Sequence, residues 1–250
     1  MCLRDELLRT AWLFGSGCSD VRRREDAIAS ALVHNHNDLA YAKPYWNYED
    51  IGVFFLILVL LGAVLRLLTR FHLLPRSELT YPSFGLQFAV VASLSLALYL
   101  VLKFRHHQRV LQPLGWVWPR MAYIVVALLV GISLAASVAL YLGFRNQTTQ
   151  PMPFVELLVL GFLLGPILEE SLFRGCLLPL LAQTTGSGIA VILTAILFAL
   201  LHQPANLAHW VSFTATGVAY GWIRVSSRST AAAAVMHATY NLAVFLSATF

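Results

Sequence analysis

The residues of this chain that could do chemistry lie in its last third. Glu169, Glu170 and Arg174 fall within LEESLFRG (168–175), Phe198 and His202 within LFALLHQPAN, and His237 and Asn241 within MHATYN. A carboxylate beside an imidazole can take a proton from water, and side-chain donors on another element can hold an oxyanion, so two histidines, one free carboxylate and one amide suffice for hydrolysis. Helical spacing separates the two glutamates. Glu170 and Arg174 are four residues apart with the acid first, the orientation that pairs best. Glu169 points about 100° away and stays unneutralised. Glu170 and Arg174 therefore read as an internal brace and Glu169 as the reagent. Phe198 with His202, and His237 with Asn241, share helix faces in the same i, i+4 manner.

The surroundings of these charges define the elements that must position them. LEESLFRG sits inside GFLLGPILEESLFRGCLLPLLA, an apolar run. A charge at the centre of a membrane helix costs about 2.5–3.5 kcal/mol on insertion scales, against a return of about 0.3–0.6 from each Leu, Ile or Phe. Three such charges need partners or a purpose. Gly165-Pro166, just upstream, should loosen the helix beside Glu169, because proline lacks a backbone donor and clashes one turn back. The 250 residues are 58% hydrophobic and 12% charged, half the charge of an ordinary soluble domain, with a mean hydropathy of +0.71.

This composition implies an all-α, polytopic membrane helix bundle. Apolar segments near the length of a bilayer crossing are expected at 51–69, 84–102, 121–143, 153–175, 189–203, 209–224 and 231–248, about seven in all. The fifth and sixth are short, which implies tilt or shelter by neighbours. The chain divides into a cytosolic polar arm (1–50) and a transmembrane domain (51–250), with a catalytic core at about 153–248. No cleavable signal peptide is visible. Lys103, Arg105, Arg109 and Arg120 make the densest basic loop, which places that loop and the N-terminus on the cytoplasmic side. Arg224 and Arg228 agree with this orientation, whereas Arg66, Arg70 and Arg76 run against it. The small-residue run Ala231–Ala234 suits close helix packing.

Several chemistries are excluded by what is missing. Eight of the twelve acidic residues precede position 51, and no Asp follows Asp50, so a membrane aspartyl dyad is ruled out. No His is followed by Glu, which removes the His-Glu-x-x-His zinc proteases. Gly186-Ser187-Gly188 reads as a loop rather than a serine-protease helix. Cys2, Cys18 and Cys176 have no metal-ligand spacing. His34 and His36, in a polar arm, read as solvated, and His209 as a satisfied polar residue.

The three motifs, Glu169-Glu170-x-x-x-Arg174 continuing through Phe173-Arg174-Gly175, Phe198-x-x-x-His202 and His237-x-x-x-Asn241, resemble those of the CPBP family of intramembrane proteases. That family includes the CAAX prenyl endopeptidases and the bacteriocin-processing, Abi-type enzymes. The resemblance covers roughly 115–248. It implies a glutamate-dependent endopeptidase acting on a membrane-associated, in some members prenylated, peptide or protein, with Glu169 and His202 activating water and His237 and Asn241 forming an oxyanion hole. It implies no cofactor, lipid surroundings and no nucleic-acid partner, and an expected location in the plasma membrane of a prokaryote. Two alternatives stand beside it. Glu169, His202 and His237 could supply three ligands to zinc, a reading ranked lower. A transporter or scaffold could use buried Glu and His as an ion path or docking site.

Overall fold

The computed structural model describes residues 46–71, 73, 84–105, 111, 113–142 and 157–249. The arm residues Cys2, Cys18, Arg22 to Arg24, His34 and His36 lie outside the described residues, as do Arg76 and Arg109.

The first helix, α1 (Tyr48–Arg70), starts three residues before the expected span because Asn47 caps it. The Asn47 side chain accepts from the Asp50 N–H at 3.0 Å, and the Asp50 carboxylate accepts from the Asn47 N–H at 2.8 Å. This reciprocal box satisfies two donors that a helix start would otherwise leave open. Asp50 is fully buried and is also gripped by Arg105, which reaches Glu49 at 2.7 Å. Arg105 closes a five-residue π-helical turn (Val101–Arg105) at the end of α2 (Phe84–Leu100). The beginning of α1 is thus tied to the end of α2. The third helix, α3, runs Met121–Leu142.

After α3 comes a composite rod, α4. It winds as π-helix over Leu157–Leu164, α-helix over Gly165–Glu170, π-helix over Ser171–Leu177 and α-helix over Leu178–Thr185. Pro166 and Pro179 each fall near the start of an α-helical segment, where a missing N–H is least costly. Gly186, at φ 79°, ends the rod. The expected Gly186–Gly188 loop is corrected here: only Gly186 interrupts, and Ser187 and Gly188 already wind as the first turn of α5 (Ser187–Leu201). Gln203, in the left-handed region at φ 48°, turns the chain towards α6 (Leu207–Ser227), which Asn206 caps by accepting from the His209 N–H at 3.0 Å. Arg228, at φ 56°, separates α6 from α7 (Thr230–Thr249). The expected all-helical bundle is found among the described residues, and three of its helices, over Tyr48–Arg70, Gly85–Arg105 and Met121–Tyr141, are long and apolar enough to cross a membrane.

The short fifth element is not fully sheltered. One face of α5 is buried through Ala190, Thr194, Ala195 and Phe198, while Ile189, Ile192, Ile196 and Leu200 stand outward at i, i+3, i+7 and i+11. That outward stripe is apolar throughout, as a lipid-facing surface requires. Small residues bring the remaining helices together. A Cβ at Gly217 of α6 would lie 2.9 Å from Ala195 Cα, and one at Gly131 of α3 would lie 2.7 Å from the Met236 carbonyl on α7. Ala232 and Ala233, in the alanine run, are completely buried. These contacts are the close approaches by which membrane helices associate.

The composite α4 lies between two apolar clusters. Leu168, Cys176 and Leu180 join Trp46 just before α1, Phe54 of α1, Ala97 of α2 and Leu102 of the π-turn that follows it, whereas Phe173 joins Phe198, Tyr220, Ile223 and Met236 of the last three helices. Its position is therefore fixed from both sides, with Arg174 against the aromatic rings of the second cluster and Ser171 bonded to Trp116 beside the first.

Candidate active site

The adjacent glutamates of α4 have unlike surroundings. Glu170 is fully buried, and its Oε1 accepts from Arg174 Nη1 at 3.1 Å and from His237 Nδ1 at 2.9 Å. The Glu170–Arg174 pair is the one the spacing predicts, and the His237 contact is an addition from α7. Arg174 is equally buried and donates from Nη2 to the Gly217 carbonyl at 2.8 Å. Its guanidinium carbon lies 5.0, 5.3 and 5.5 Å from the ring centres of Phe198, Tyr220 and Phe173. Removing an ion from water costs several kcal/mol, so a buried pair persists only with further partners. Here these are a backbone carbonyl, an imidazole and three aromatic rings.

Glu169 is one third exposed, and its Oε2 is buried without a hydrogen-bond partner. It faces two imidazoles. His202 Nε2 is 3.8 Å from Glu169 Oε2 and His237 Nε2 is 4.0 Å from the same atom. Both separations exceed a direct hydrogen bond, and both are short enough for one small polar group to touch acid and base together.

The opposite nitrogen of each ring fixes its orientation. His202 Nδ1 lies 2.7 Å from the Phe198 carbonyl, and His237 Nδ1 lies on the Glu170 carboxylate. Carbonyl and carboxylate oxygens only accept, so Nδ1 carries a proton in both rings and Nε2 is turned to Glu169. The rings are also clamped by stacking. Phe198 and Phe213 lie 4.2 and 4.8 Å from His202, and Tyr220 stacks on His237 at 4.7 Å with an interplanar angle of 18°.

Phe198 thus touches Arg174, His202 and His237 from the end of α5. Asn241, one turn beyond His237, directs its amide to the Gly161 carbonyl at 2.7 Å, which uses one of its two N–H bonds. His209 lies in the first turn of α6, at the position where its backbone N–H is capped. Tyr220, Phe213 and Gly217 were not legible as site residues, because their contacts depend on where α6 crosses α4 and α7. Trp116 is another. Its indole N–H donates to Ser171 Oγ at 2.9 Å, and Ser171 Oγ donates to the Ile167 carbonyl at 2.7 Å, which ties the segment before α3 to the glutamate-bearing turn. Among the described residues no group of three His, Cys, Asp or Glu side chains is arranged to hold a metal ion.

Residues 151–243 match the family model described as Type II CAAX prenyl endopeptidase Rce1-like. The matched stretch contains all three motifs and ends two residues after Asn241. No curated protein and no solved structure matches the chain.

Proposed function

We propose, from the match of residues 151–243 to a CAAX prenyl endopeptidase family model, that this protein is a glutamate-dependent endopeptidase that cleaves a membrane-associated peptide. The observation that carries the proposal is the convergence of His202 Nε2 and His237 Nε2 on the unpartnered Oε2 of Glu169.

In the proposed reaction, water lies between Glu169 and His202 and loses a proton to the carboxylate as its oxygen attacks the scissile carbonyl. The carbonyl π bond becomes an oxyanion. His237 Nε2 and the second N–H of Asn241 are assigned to that oxyanion. For His237 to donate from Nε2 while Nδ1 donates to Glu170, the ring must hold both protons; Glu170 is already paired with Arg174, so the imidazolium charge is balanced by the Glu169 carboxylate before attack and by the oxyanion after it. Collapse of the tetrahedral intermediate breaks the C–N bond, and the proton held by Glu169 passes to the leaving amine. Donors fixed before the reaction need no reorganisation, and one such donor is worth about 2.7–4 kcal/mol in comparable sites.

Glu170, Arg174 and Phe198 are assigned support roles, because they orient His237, His202 and the turn bearing Glu169. The membrane setting restricts substrates to those that reach the bundle from the bilayer, and a prenylated C-terminus is one chemistry that would bring a peptide there. The proposed placement is a prokaryotic plasma membrane with a cytoplasmic N-terminus. The test is cleavage of internally quenched peptides, prenylated and unprenylated, by the purified protein in liposomes. Wild type should cleave at least one class and Glu169→Gln neither; undiminished cleavage by Glu169→Gln overturns the assignment.

A further inference from the structure

Both π-helical stretches of α4 run into a proline at the same point of their hydrogen-bond pattern. A π-helix pairs the carbonyl of residue i with the N–H of residue i+5. In Leu157–Leu164 the next acceptor in that series is Gly161, and its partner would be residue 166, which is Pro166. In Ser171–Leu177 the Phe173 carbonyl pairs with the Leu178 N–H, so the next acceptor is Arg174, whose partner would be Pro179. Proline has no N–H, and each proline therefore leaves a carbonyl of α4 without its expected intrahelical donor.

Each of these carbonyls accepts a side chain from another helix. Asn241 Nδ2 of α7 donates to the Gly161 carbonyl at 2.7 Å, and Arg224 Nε of α6 donates to the Arg174 carbonyl at 3.2 Å. Arg224 is buried and is packed at Gly115, where a Cβ would come within 2.6 Å of its Nη2. It has no carboxylate among the ion pairs of the described residues, so the Arg174 carbonyl is a principal anchor of its charge. The two carbonyls lie on either side of the Glu169–Glu170 turn.

We infer that Asn241 and Arg224 are positioning residues that replace, from neighbouring helices, the two backbone donors that Pro166 and Pro179 remove from α4. They clamp the glutamate-bearing segment at both ends. A π-turn alone could be closed by shifting its hydrogen bonds by one residue, which would rotate Glu169 by about 100° away from His202. The clamps oppose that shift, because each side-chain donor is aimed at one particular carbonyl. The bracing itself is independent of the reaction, while its consequence for Glu169 rests on the proposed function. Asn241 then has two duties, one N–H on the Gly161 carbonyl and the other on the oxyanion.

Two double-mutant cycles on the purified full chain test this, read by thermal unfolding midpoint and by kcat and KM. Arg224→Met should lower the midpoint by about 3–8 °C, the effect of leaving a buried acceptor unpaired, and reduce kcat about 10-fold with KM little changed. Pro179→Ala returns an N–H to the helix, so in that background the Arg224→Met losses should shrink to half or less. The cycle of Asn241→Ala with Pro166→Ala should behave likewise in midpoint, whatever its activity. Should Arg224→Met fail to accumulate, Arg224→Lys should show a smaller loss that Pro179→Ala also suppresses. Additive losses in both cycles overturn the inference. Coupled losses in a protein that cleaves no peptide uphold the clamps and remove the hydrolase reading alone.

Discussion

Glu169 and Glu170 are consecutive residues of one helix, yet they face two regions built on opposite terms. On the Glu170 side the charges are desolvated and paired: Arg174, His237, the Gly217 carbonyl and three aromatic rings surround the carboxylate and guanidinium, with only Glu170 Oε2 and Arg174 Nε left without a hydrogen bond. On the Glu169 side the carboxylate is part-exposed, two imidazole nitrogens stop about 4 Å short of it, and its Oε2 accepts nothing. The difference teaches how a bundle can carry a part-exposed, unpaired acid among apolar helices. Specific partners absorb the cost of one carboxylate, and that assembly holds the imidazole that faces the other. His237 belongs to both regions, with Nδ1 on Glu170 and Nε2 towards Glu169.

The contrast can be broken most severely from the closed side. Arg174→Met leaves Glu170 buried without its cation and should destabilise the protein by about 3–5 kcal/mol, read as a fall in the detergent unfolding midpoint together with lost cleavage. His202→Ala touches only the open side. It should reduce kcat by about 10²–10⁴-fold, while the unfolding midpoint stays near wild type. Gly217→Leu attacks the packing that lets α6 approach α4 and α5. A Cβ there already meets Ala195 within 2.9 Å, so a loss of about 1–3 kcal/mol in unfolding free energy is expected, with the Arg174 contact to the same residue weakened. Trp116→Phe should be the mildest change. It deletes one hydrogen bond to Ser171, worth about 1 kcal/mol, and should lower the midpoint slightly with kcat within a few-fold of wild type.

The parts of this site that lie within a single helix were legible in the sequence. Glu170 and Arg174 sit at i, i+4, and the opposite facing of Glu169 follows from the helical turn alone. The end of α5 at His202, just before Pro204, is likewise a local event. What could not be read is whatever depends on a crossing angle. Glu170 and His237 are 67 positions apart, and the stacking of Tyr220 on His237 needs α6 and α7 to meet at one depth. The π-helical turns were also hidden. An extra residue per turn leaves no mark in an apolar run, so Gly165-Pro166 announced a disturbed helix without showing which carbonyls would look elsewhere. The fourth span was accordingly expected to end at 175, where the helix continues to Thr185.

The division of labour between the two glutamates is tested most directly by one paired measurement, in which Glu169→Gln and Glu170→Gln are compared with wild type for both cleavage rate and unfolding midpoint. Glu169→Gln should abolish cleavage with its midpoint unmoved, and Glu170→Gln should lower both. Equal falls in midpoint for the two variants, or cleavage that survives in Glu169→Gln, would contradict the account.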